Sequence, residues 1–353
     1  MKHFDPQVLE QVGIDILSAA GSEPDEARIV SEHLVESNLK GHDSHGIGMI
    51  PQYLRKIRDG SLVPNRPGRV VTDAGPIIVN HGQRGYGQVT ARIATGKGIS
   101  KAREFGVAVV ALRDSHHIGR IGAYGEMCAD QGFVSFLFVN GTAHPPRVVP
   151  HGGRQARLAT NPLCIALPGT ERTPPFVLDM ATTKIAMGKI RVARNKGEQL
   201  QPGWILDADG DPTTDPEVMF AAPPGVMLPF AEYKGYGLSL ACEILAGVMT
   251  GGGSIQPANP QDGGFVNSMF MVIVDPARCA DPSWMERELD NLIEYVKSSA
   301  PVDSANPVLI AGDPERQCRQ TRMAQGIPVD AGTIGELRAA ADSVGVHAKA
   351  LVP

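Results

Sequence analysis

The chain has 353 residues, a formal net charge of -5 and 42% hydrophobic residues. This hydrophobic fraction supports a large core and argues against a disordered chain. Mild acidity without a run of lysine or arginine argues against a nucleic-acid partner, and apolar runs far shorter than about 20 residues argue against a membrane span. Five widely spaced cysteines without a CxxC pair, and an N-terminus without an apolar leader, predict a cytoplasmic protein with reduced thiols.

Helical periodicity dominates the first 60 residues. Apolar residues recur at helix spacing over residues 8–17, a second helix is predicted after an N-cap at Ser22, and a third is predicted over residues 50–57, with Tyr53 on its apolar face. Because such short helices cannot bury a core alone, we expect them to pack on another part of the chain.

From about residue 69 the pattern changes to short apolar runs typical of buried strands. The predicted strands are residues 69–72, 76–79, 107–112, 133–139, 176–179, 269–274 and 308–310. The predicted helices are residues 89–105, 122–131, 184–196, 235–249, 282–299, 313–325 and 333–344, the last beginning with a capping-box pair, Thr333 and Glu336. Strands that alternate with helices predict an α/β layer structure.

The helical ends of the chain flank this α/β middle, which suggests that the two termini pack together. We therefore predict two domains: an N-terminal helical segment, residues 1–75, packing with residues 282–353, and a central α/β domain, residues 76–281.

Histidines give the first chemical signal, since both the GxGxxG dinucleotide fingerprint and the Walker A loop are absent. Six of the ten lie in predicted loops: His42, His45, His116, His117, His144 and His151. The loop over residues 115–122 follows an apolar strand and leads into a glycine-rich helix start, where α/β proteins bind ligands. A histidine there can transfer protons near neutral pH, or it can simply satisfy a loop carbonyl.

A metal site is an alternative use of these histidines. Asp43, His45, His117 and His144 could come together in space, although the HExxH pattern is absent. This keeps a histidine-based metal hydrolase open as a function of another class. Asp43, Ser44 and His45 are adjacent, so they cannot form a Ser-His-Asp relay among themselves.

Weaker signals lie further along the chain. Lys234 stands at a glycine-opened helix start and suits a phosphate or a carboxylate, or is only a solvated cap lysine. Thr160 and Asn161, and residues 178–181, end apolar segments with polar groups that would suit pyrophosphate or ribose contacts.

Six motifs together resemble the type 2 malate/L-lactate dehydrogenase family, which includes ureidoglycolate, sulfolactate and diketogulonate dehydrogenases. In chain order they are Asp43-Ser-His-Gly46, Ser115-His-His-Ile-Gly119, Ala159-Thr-Asn-Pro162, Leu178-Asp-Met-Ala-Thr182, Lys234-Gly-Tyr-Gly237 and Gly326-Ile-Pro328. The resemblance implies a non-Rossmann NAD(P)-binding fold with a mixed sheet layered by helices, a helical domain from both termini, and a homodimer. It also implies hydride transfer between NAD or NADP, NAD being favoured, and a 2-oxo or 2-hydroxy acid.

The same resemblance implies roles for individual residues. His117 or His45 is the expected proton donor and acceptor, and Ser44 is expected beside the nicotinamide or the substrate. The expected cofactor contacts are His45, Gly119, Arg120, Ile121, Thr160, Asn161, Leu178, Asp179, Met180, Ala181, Thr182, Tyr233, Lys234, Asn267, Gly312, Asp313, Pro314 and Glu315.

One position departs from the family pattern. Many relatives carry an arginine that grips the substrate carboxylate where this chain has Met49. We predict Met49 and Arg120 as substrate residues, with Arg120 either replacing the missing arginine or holding the pyrophosphate. A thioether suits a larger or more apolar acid such as an aryl-pyruvate, while 2-oxoglutarate and malate- or lactate-like acids stay open. Reduction of a cyclic imine, Δ1-piperideine-2-carboxylate, is the alternative activity within the class.

Overall fold

The computed structural model describes residues 1–260, 262, 264–348 and 351, with the backbone alone at 195 and 196. Its strands are β1 (Lys2–Phe4), β2 (Arg69–Ala74), β3 (Ile77–His81), β4 (Val107–His116), β5 (Val134–Thr142), β6 (Leu163–Leu167), β7 (Phe176–Met180), β8 (Ile205–Leu206), β9 (Pro212–Thr213), β10 (Val226–Met227), β11 (Val266–Val274) and β12 (Ile327–Val329). Its α-helices are α1 (Pro6–Ala19), α2 (Pro24–Leu39), α3 (Ile50–Arg58), α4 (Gly87–Phe105), α5 (Gly122–Ala129), α6 (Met187–Lys196), α7 (Tyr233–Cys242), α8 (Pro282–Lys297), α9 (Asp313–Gln325) and α10 (Ala331–Ser343).

A seven-stranded mixed sheet forms the centre of the fold, in the order β2-β3-β4-β11-β5-β6-β7. The pair β3–β4 is parallel and the other neighbouring pairs are antiparallel. Met269, Met271 and Ile273 of β11 pack in the apolar core that α4 and α5 cover, because alternate strand residues share a face. On the opposite face lie α7 and the π-helical turns Glu243–Met249 that continue it. The predicted α/β fold with a mixed sheet is confirmed.

A second apolar core joins the two ends of the chain. Buried side chains of α1, α2 and α3 pack with Ile327, Val329, Leu337 and Leu351, and β1 pairs antiparallel with β12. Elsewhere, Asp290 of α8 accepts hydrogen bonds from two threonines of the loop between β6 and β7, and β2 belongs to the central sheet. The division into residues 1–75 with 282–353 and residues 76–281 stays a prediction.

Two predicted N-caps lie elsewhere. Pro24 occupies the first position of α2, so the cap is Glu23 rather than Ser22. In α10 the Asp330 carboxylate accepts the backbone N–H of Thr333 at 2.9 Å, which places the cap three residues before the predicted one.

Several predicted elements also have different bounds. Residues 308–310 are irregular rather than a strand, because the Ile310 N–H donates to the Asp313 carboxylate and not to a neighbouring strand. The helix predicted over 184–196 begins at Met187, and the one predicted over 235–249 begins at Tyr233 and becomes π-helical at Glu243. The prediction missed β6, which lies between β5 and β7, as well as β1, β12 and the small sheet β10-β8-β9.

Within the described residues, none of the helices is apolar over a stretch long enough to cross a bilayer. The cysteines are free thiols, with Cys128, Cys164 and Cys242 buried. Burial raises the pKa of Cys128 to about 12, so this thiol is unreactive at neutral pH.

Candidate active site

The loop between β4 and α5 carries the central histidines. β4 runs to His116, further than predicted, and its ladder with β11 has a bulge beside Asp114, which has a φ of 51°. Bulges of this kind redirect side chains next to active sites. At the turn, Gly119 has a φ of 73°, and a Cβ there would lie 2.3 Å from Nε2 of His33. Only glycine fits this turn.

Two polar contacts fix the loop from opposite sides. The Ile118 N–H donates to Oδ1 of Asn267 at 3.0 Å, and the Arg120 N–H donates to Nε2 of His33 at 3.0 Å. Asn267 also donates to the Asn140 carbonyl at 2.9 Å. The predicted cofactor residue Asn267 therefore helps to hold the backbone that presents His117.

His117 lies in the interior with one ring nitrogen held. Its residue is 5% exposed, and the hydroxyl of Tyr53 lies 2.8 Å from Nδ1. Nε2 of Gln88 donates to the same hydroxyl at 2.7 Å. Burial, with the neighbouring His45 and His116, holds the pKa of His117 well below its usual value. The resting imidazole is therefore neutral at pH 7.

His45 stacks on His117, with ring centroids 5.3 Å apart and ring planes 13° apart. Burial lowers the pKa of His45 to about 4. The adjacent Ser44 packs against the start of α6, where a Cβ on Gly188 would lie 2.4 Å from the Ser44 Cβ. Arg322 holds Asp43 through an Nη1–Oδ1 contact of 2.6 Å. The structure thus places the predicted catalytic residues His45 and His117 ring against ring, with Ser44 next to His45 in the chain and packed on α6.

An aromatic side chain packs beside His117. Phe265 meets His117 edge-on with centroids 4.9 Å apart, and His144 stacks on Phe265 with centroids 5.0 Å apart. The predicted substrate residue Met49 is partly buried and packs against the helical core.

Arg120, the other predicted substrate residue, is committed to protein carboxylates. Its side chain is 2% exposed, with Nη2 2.5 Å from Oε2 of Glu126 and Nη1 3.6 Å from Oδ2 of Asp179. Lys40 also contacts Glu126, at 2.7 Å. Asp179 accepts the Gly122 N–H at 2.8 Å. At the first turn of α5, where a ligand was expected, the Gly122 N–H is thus taken by a protein carboxylate.

The end of β7 gathers six of the predicted cofactor residues. Leu178, Asp179 and Met180 lie in β7 and lead to Ala181 and Thr182. Thr182 donates through its N–H and its hydroxyl to the Thr160 carbonyl, at 3.0 and 2.8 Å.

The motif that contains Asn161 connects the end of β7 to α7. Asn161 has a φ of 35°, and its Nδ2 donates to Glu243 at 2.8 Å while its buried Oδ1 has no partner among the described residues. At the start of α7, Tyr233 is 61% exposed, and the exposed Lys234 has its Nζ 6.0 Å from the Tyr233 ring centroid.

The first turn of α9 closes the other side of β7. The Ala311 carbonyl accepts the Val177 N–H, which places Gly312, Asp313, Pro314 and Glu315 beside the strand. Glu315 lies 3.3 Å from Nε2 of His42, and this hydrogen bond lowers the pKa of Glu315. Asp313 is paired with Lys297 at 2.8 Å and Arg316 at 2.7 Å.

The proposed metal ligands do not converge. Asp43 is held by Arg322, and both His117 and His144 pack against the Phe265 ring. In the described part of the chain, no group of three or more histidine, cysteine, aspartate or glutamate side chains is placed to hold a metal ion. The geometry gives the metal-hydrolase alternative no support.

Sequence reasoning missed four residues of this site: His33, Tyr53, Gln88 and Phe265. Tyr53 was assigned to the apolar face of its helix, which is where it lies. The available signal was its hydroxyl, because a buried tyrosine usually finds a polar partner. The other three come from α2, α4 and the segment before β11, and nothing in the sequence links them to His117.

Comparison with known proteins identifies the class. The malate/L-lactate dehydrogenase family pattern matches residues 4–338. Hydroxycarboxylate dehydrogenase B of Escherichia coli (strain K12) is 42% identical over 350 residues, which cover 99% of this chain and 96% of that protein. A solved E. coli chain described as a malate/lactate dehydrogenase is 41% identical with a TM-score of 0.94, covering 99% of this chain and 98% of the other.

A more distant solved structure is Δ1-piperideine-2-carboxylate reductase from Pseudomonas syringae pvar. tomato, with 28% identity and a TM-score of 0.83, covering 96% of this chain and 100% of the other. The fold and these matches define an oxidoreductase of the dehydrogenase type. The chain belongs to the malate/L-lactate dehydrogenase family, and the resemblance carried by the six motifs is confirmed.

Proposed function

We propose that this enzyme interconverts a 2-hydroxy acid and a 2-oxo acid with NAD(H), and that it works in vitro mainly as a 2-oxo acid reductase. The observation that carries the proposal is the stacked pair of histidines, His117 and His45, with Ser44 next to His45 in the chain. One member of the pair, His117, has Nδ1 anchored by a tyrosine. Such an anchor orients an imidazole for proton transfer.

The chemistry divides between cofactor and protein. A bound nicotinamide supplies or accepts the hydride. We assign the proton transfer to Nε2 of His117. During reduction the neutral ring gives its Nε2 proton to the substrate oxygen as negative charge develops there, and the ring then recovers a proton from solvent. Oxidation is the reverse: the ring first loses its Nε2 proton to solvent and Nε2 then takes up the hydroxyl proton. His45 stacks on this ring, and its charge-free state at neutral pH keeps a second cation away from His117. The reverse assignment, in which His45 is the proton donor, stays open as a prediction that variants of His117 and His45 test.

For the substrate we propose a large or aromatic 2-oxo acid such as an aryl-pyruvate. Phe265, edge-on to His117 and stacked on His144, provides an aromatic surface beside His117, and Met49 stands where a charged arginine would favour small dicarboxylates. The ion pairs of Arg120 with Glu126 and Asp179 favour a supporting role for this arginine. Its direct role toward the substrate carboxylate or the pyrophosphate stays a prediction.

The residues along β7 fit a dinucleotide. Asn161 has a buried Oδ1 without a partner in the described structure, which suits a hydroxyl or amide donor. Lys234 is an exposed cation in the first turn of α7, which suits a pyrophosphate. We propose that these two, with Thr160, Thr182 and Tyr233, hold the cofactor.

We favour NAD over NADP. The charged side chains in the first turn of α9 are Asp313 and Glu315, and the hydrogen bond from His42 keeps Glu315 ionised. A carboxylate can accept a ribose hydroxyl but repels a 2′-phosphate. The test is the ratio of kcat/KM for NADH and NADPH. Glu315→Gln should move this ratio toward NADPH.

We propose that the enzyme is a homodimer in the cytoplasm. Leu240, Ile244 and Val248, spaced four residues apart on α7 and its π-helical continuation, are 39–62% exposed although this segment packs on the central sheet. An apolar stripe of this kind marks a protein contact surface, and free cysteines suit a reducing compartment. Light scattering of the wild-type protein and of Val248→Glu tests the dimer.

The same assay should include a second activity, reduction of the cyclic imine Δ1-piperideine-2-carboxylate. It needs the same hydride and proton transfers, and the structural match to such a reductase covers nearly the whole chain.

The test is turnover of a panel of 2-oxo acids and cyclic imines with NADH and with NADPH, followed by nicotinamide absorbance. We expect turnover with oxo acids and the highest kcat/KM with aryl-pyruvates. Turnover of the imine alone would transfer the assignment to imine reduction. An absence of turnover with every oxo acid and imine would overturn both.

A further inference from the structure

Tyr53 belongs to a buried chain of hydrogen bonds that ends at His117. It lies on α3 and is 0% exposed. Its hydroxyl is 2.8 Å from Nδ1 of His117 and accepts a hydrogen bond from Nε2 of Gln88, on α4, at 2.7 Å. Three elements, α3, α4 and the loop between β4 and α5, therefore meet at one phenol.

The direction of each hydrogen bond in this network determines which atoms carry the protons. Gln88 donates to the oxygen of Tyr53. We infer that the phenolic proton is in turn donated to Nδ1 of His117, 2.8 Å away. Burial raises the pKa of Tyr53, which keeps the phenol protonated. A neutral imidazole that accepts at Nδ1 carries its own proton on Nε2.

We propose that Tyr53 is the positioning residue of this enzyme: its hydroxyl, oriented by Gln88, holds Nδ1 of His117 and leaves Nε2 to face the substrate oxygen. This inference rests on the proposed function, in which His117 moves the proton. Apolar packing alone would be served equally well by phenylalanine at residue 53. The hydroxyl is therefore the group whose role has to be tested.

Removing the hydroxyl should change two properties of His117. The neutral ring loses the hydrogen bond that selects the Nε2–H tautomer, so the two tautomers become mixed. Because the lost bond stabilises the neutral form, the pKa of His117 should rise. The titratable rings that face His117 are His45 on its turn, His116 on β4 and His33 on α2, and the substitution leaves all three in place.

The experiment compares Tyr53→Phe with Tyr86→Phe in the full-length enzyme. Tyr86 is equally buried, its ring centroid lies 5.7 Å from that of Tyr53, and its hydroxyl makes no hydrogen bond to His117. The tautomer of His117 is read from side-chain ¹⁵N shifts, assigned with His117→Gln.

For Tyr53→Phe we expect mixed tautomers, a higher pKa of His117 in a pH titration of the same ¹⁵N shifts, and a kcat for oxo acid reduction lower by about tenfold, the effect of one buried hydrogen bond. The KM for NADH should stay near the wild-type value. Tyr86→Phe should leave all four quantities unchanged. In the His117→Gln background, Tyr53→Phe should cause no further loss of kcat.

An unchanged tautomer in Tyr53→Phe would overturn the proposal. If His117→Gln is itself fully active, the proposed function fails, but the tautomer measurement still decides the role of Tyr53. If Tyr53→Phe does not fold, Gln88→Met removes the donor that orients the phenol and should mix the tautomers. An unchanged tautomer there would contradict the proposal as well.

Discussion

Replacing Arg120 by methionine should destabilise the protein strongly. The guanidinium is 2% exposed and lies 2.5 Å from Glu126 and 3.6 Å from Asp179. Removing one partner of a buried pair costs about 3–5 kcal/mol, because it leaves charge uncompensated in the interior. Lys40 still contacts Glu126 at 2.7 Å, and the Gly122 N–H still donates to Asp179 at 2.8 Å. We therefore expect the lower end, a loss of about 3 kcal/mol in the free energy of unfolding.

The assay is urea unfolding at pH 7, combined with steady-state kinetics. Arg120→Lys is the matched control, since it keeps the charge but loses the planar fork. It should be destabilised less than Arg120→Met and should keep KM values for oxo acid and NADH near those of the wild type. A free energy of unfolding for Arg120→Met within about 1 kcal/mol of the wild type, with a raised KM for either ligand in Arg120→Lys, would refute the supporting role. The ligand affected would then identify the group that Arg120 binds.

Three further substitutions test separate parts of the structure. Burial lowers the pKa of His116 to about 3, so between about pH 6.5 and 3 the unfolded chain binds a proton that the folded protein does not, and the stability of the wild type falls as the pH falls. The free energy of unfolding of His116→Leu, measured in urea relative to the wild type, should therefore rise by about 2 kcal/mol on going from pH 7 to pH 5. An equal decline of both proteins would contradict this. Gly188→Val should displace Ser44, because a Cβ at Gly188 would lie 2.4 Å from the Ser44 Cβ, and should lower kcat/KM for oxo acid at least tenfold. The control Gly96→Ala should have no effect on kcat/KM, because a Cβ there meets open space. Met49→Arg should raise kcat/KM for malate- or lactate-like acids and lower it for aryl-pyruvates; a loss on all of them would argue against a vacant carboxylate subsite.

Much of the fold is predictable because hydrophobic periodicity is a local property. The apolar runs of β4, β5 and β11 predict buried strands, and the spacing of apolar residues in α1, α2 and α3 predicts helices. The strand order is not local: β11 inserts between β4 and β5 from more than 120 residues further along the chain. The predicted N-cap of α10 was wrong because the Asp330 side chain accepts the backbone N–H of Thr333 at the helix start.

The site divides in the same way. Glycine-flanked histidine loops and the family motifs pointed to Ser44, His45 and His117, and the structure stacks His45 on His117. The phenol that holds Nδ1 of His117 lies 64 residues away on a helix read as core. The pairing of Arg120 with Asp179 depends on the loop before α5 meeting the end of β7. Contacts of this kind come from tertiary packing, and a single sequence carries no signal of them.

The central claim is that His117 moves the proton in a nicotinamide-dependent reduction of a 2-oxo acid. Its most direct test is the single-turnover rate of NADH oxidation by an aryl-pyruvate in His117→Gln, with NADH binding followed by fluorescence and His45→Gln measured in parallel. We expect the His117 variant to bind NADH normally and to react about 10²–10⁴-fold more slowly, the usual contribution of a general acid, with a smaller effect in the His45 variant. A His117 variant that folds, binds NADH and reacts within a few-fold of the wild-type rate would contradict the claim, and a large loss in His45→Gln alone would move the proton to His45.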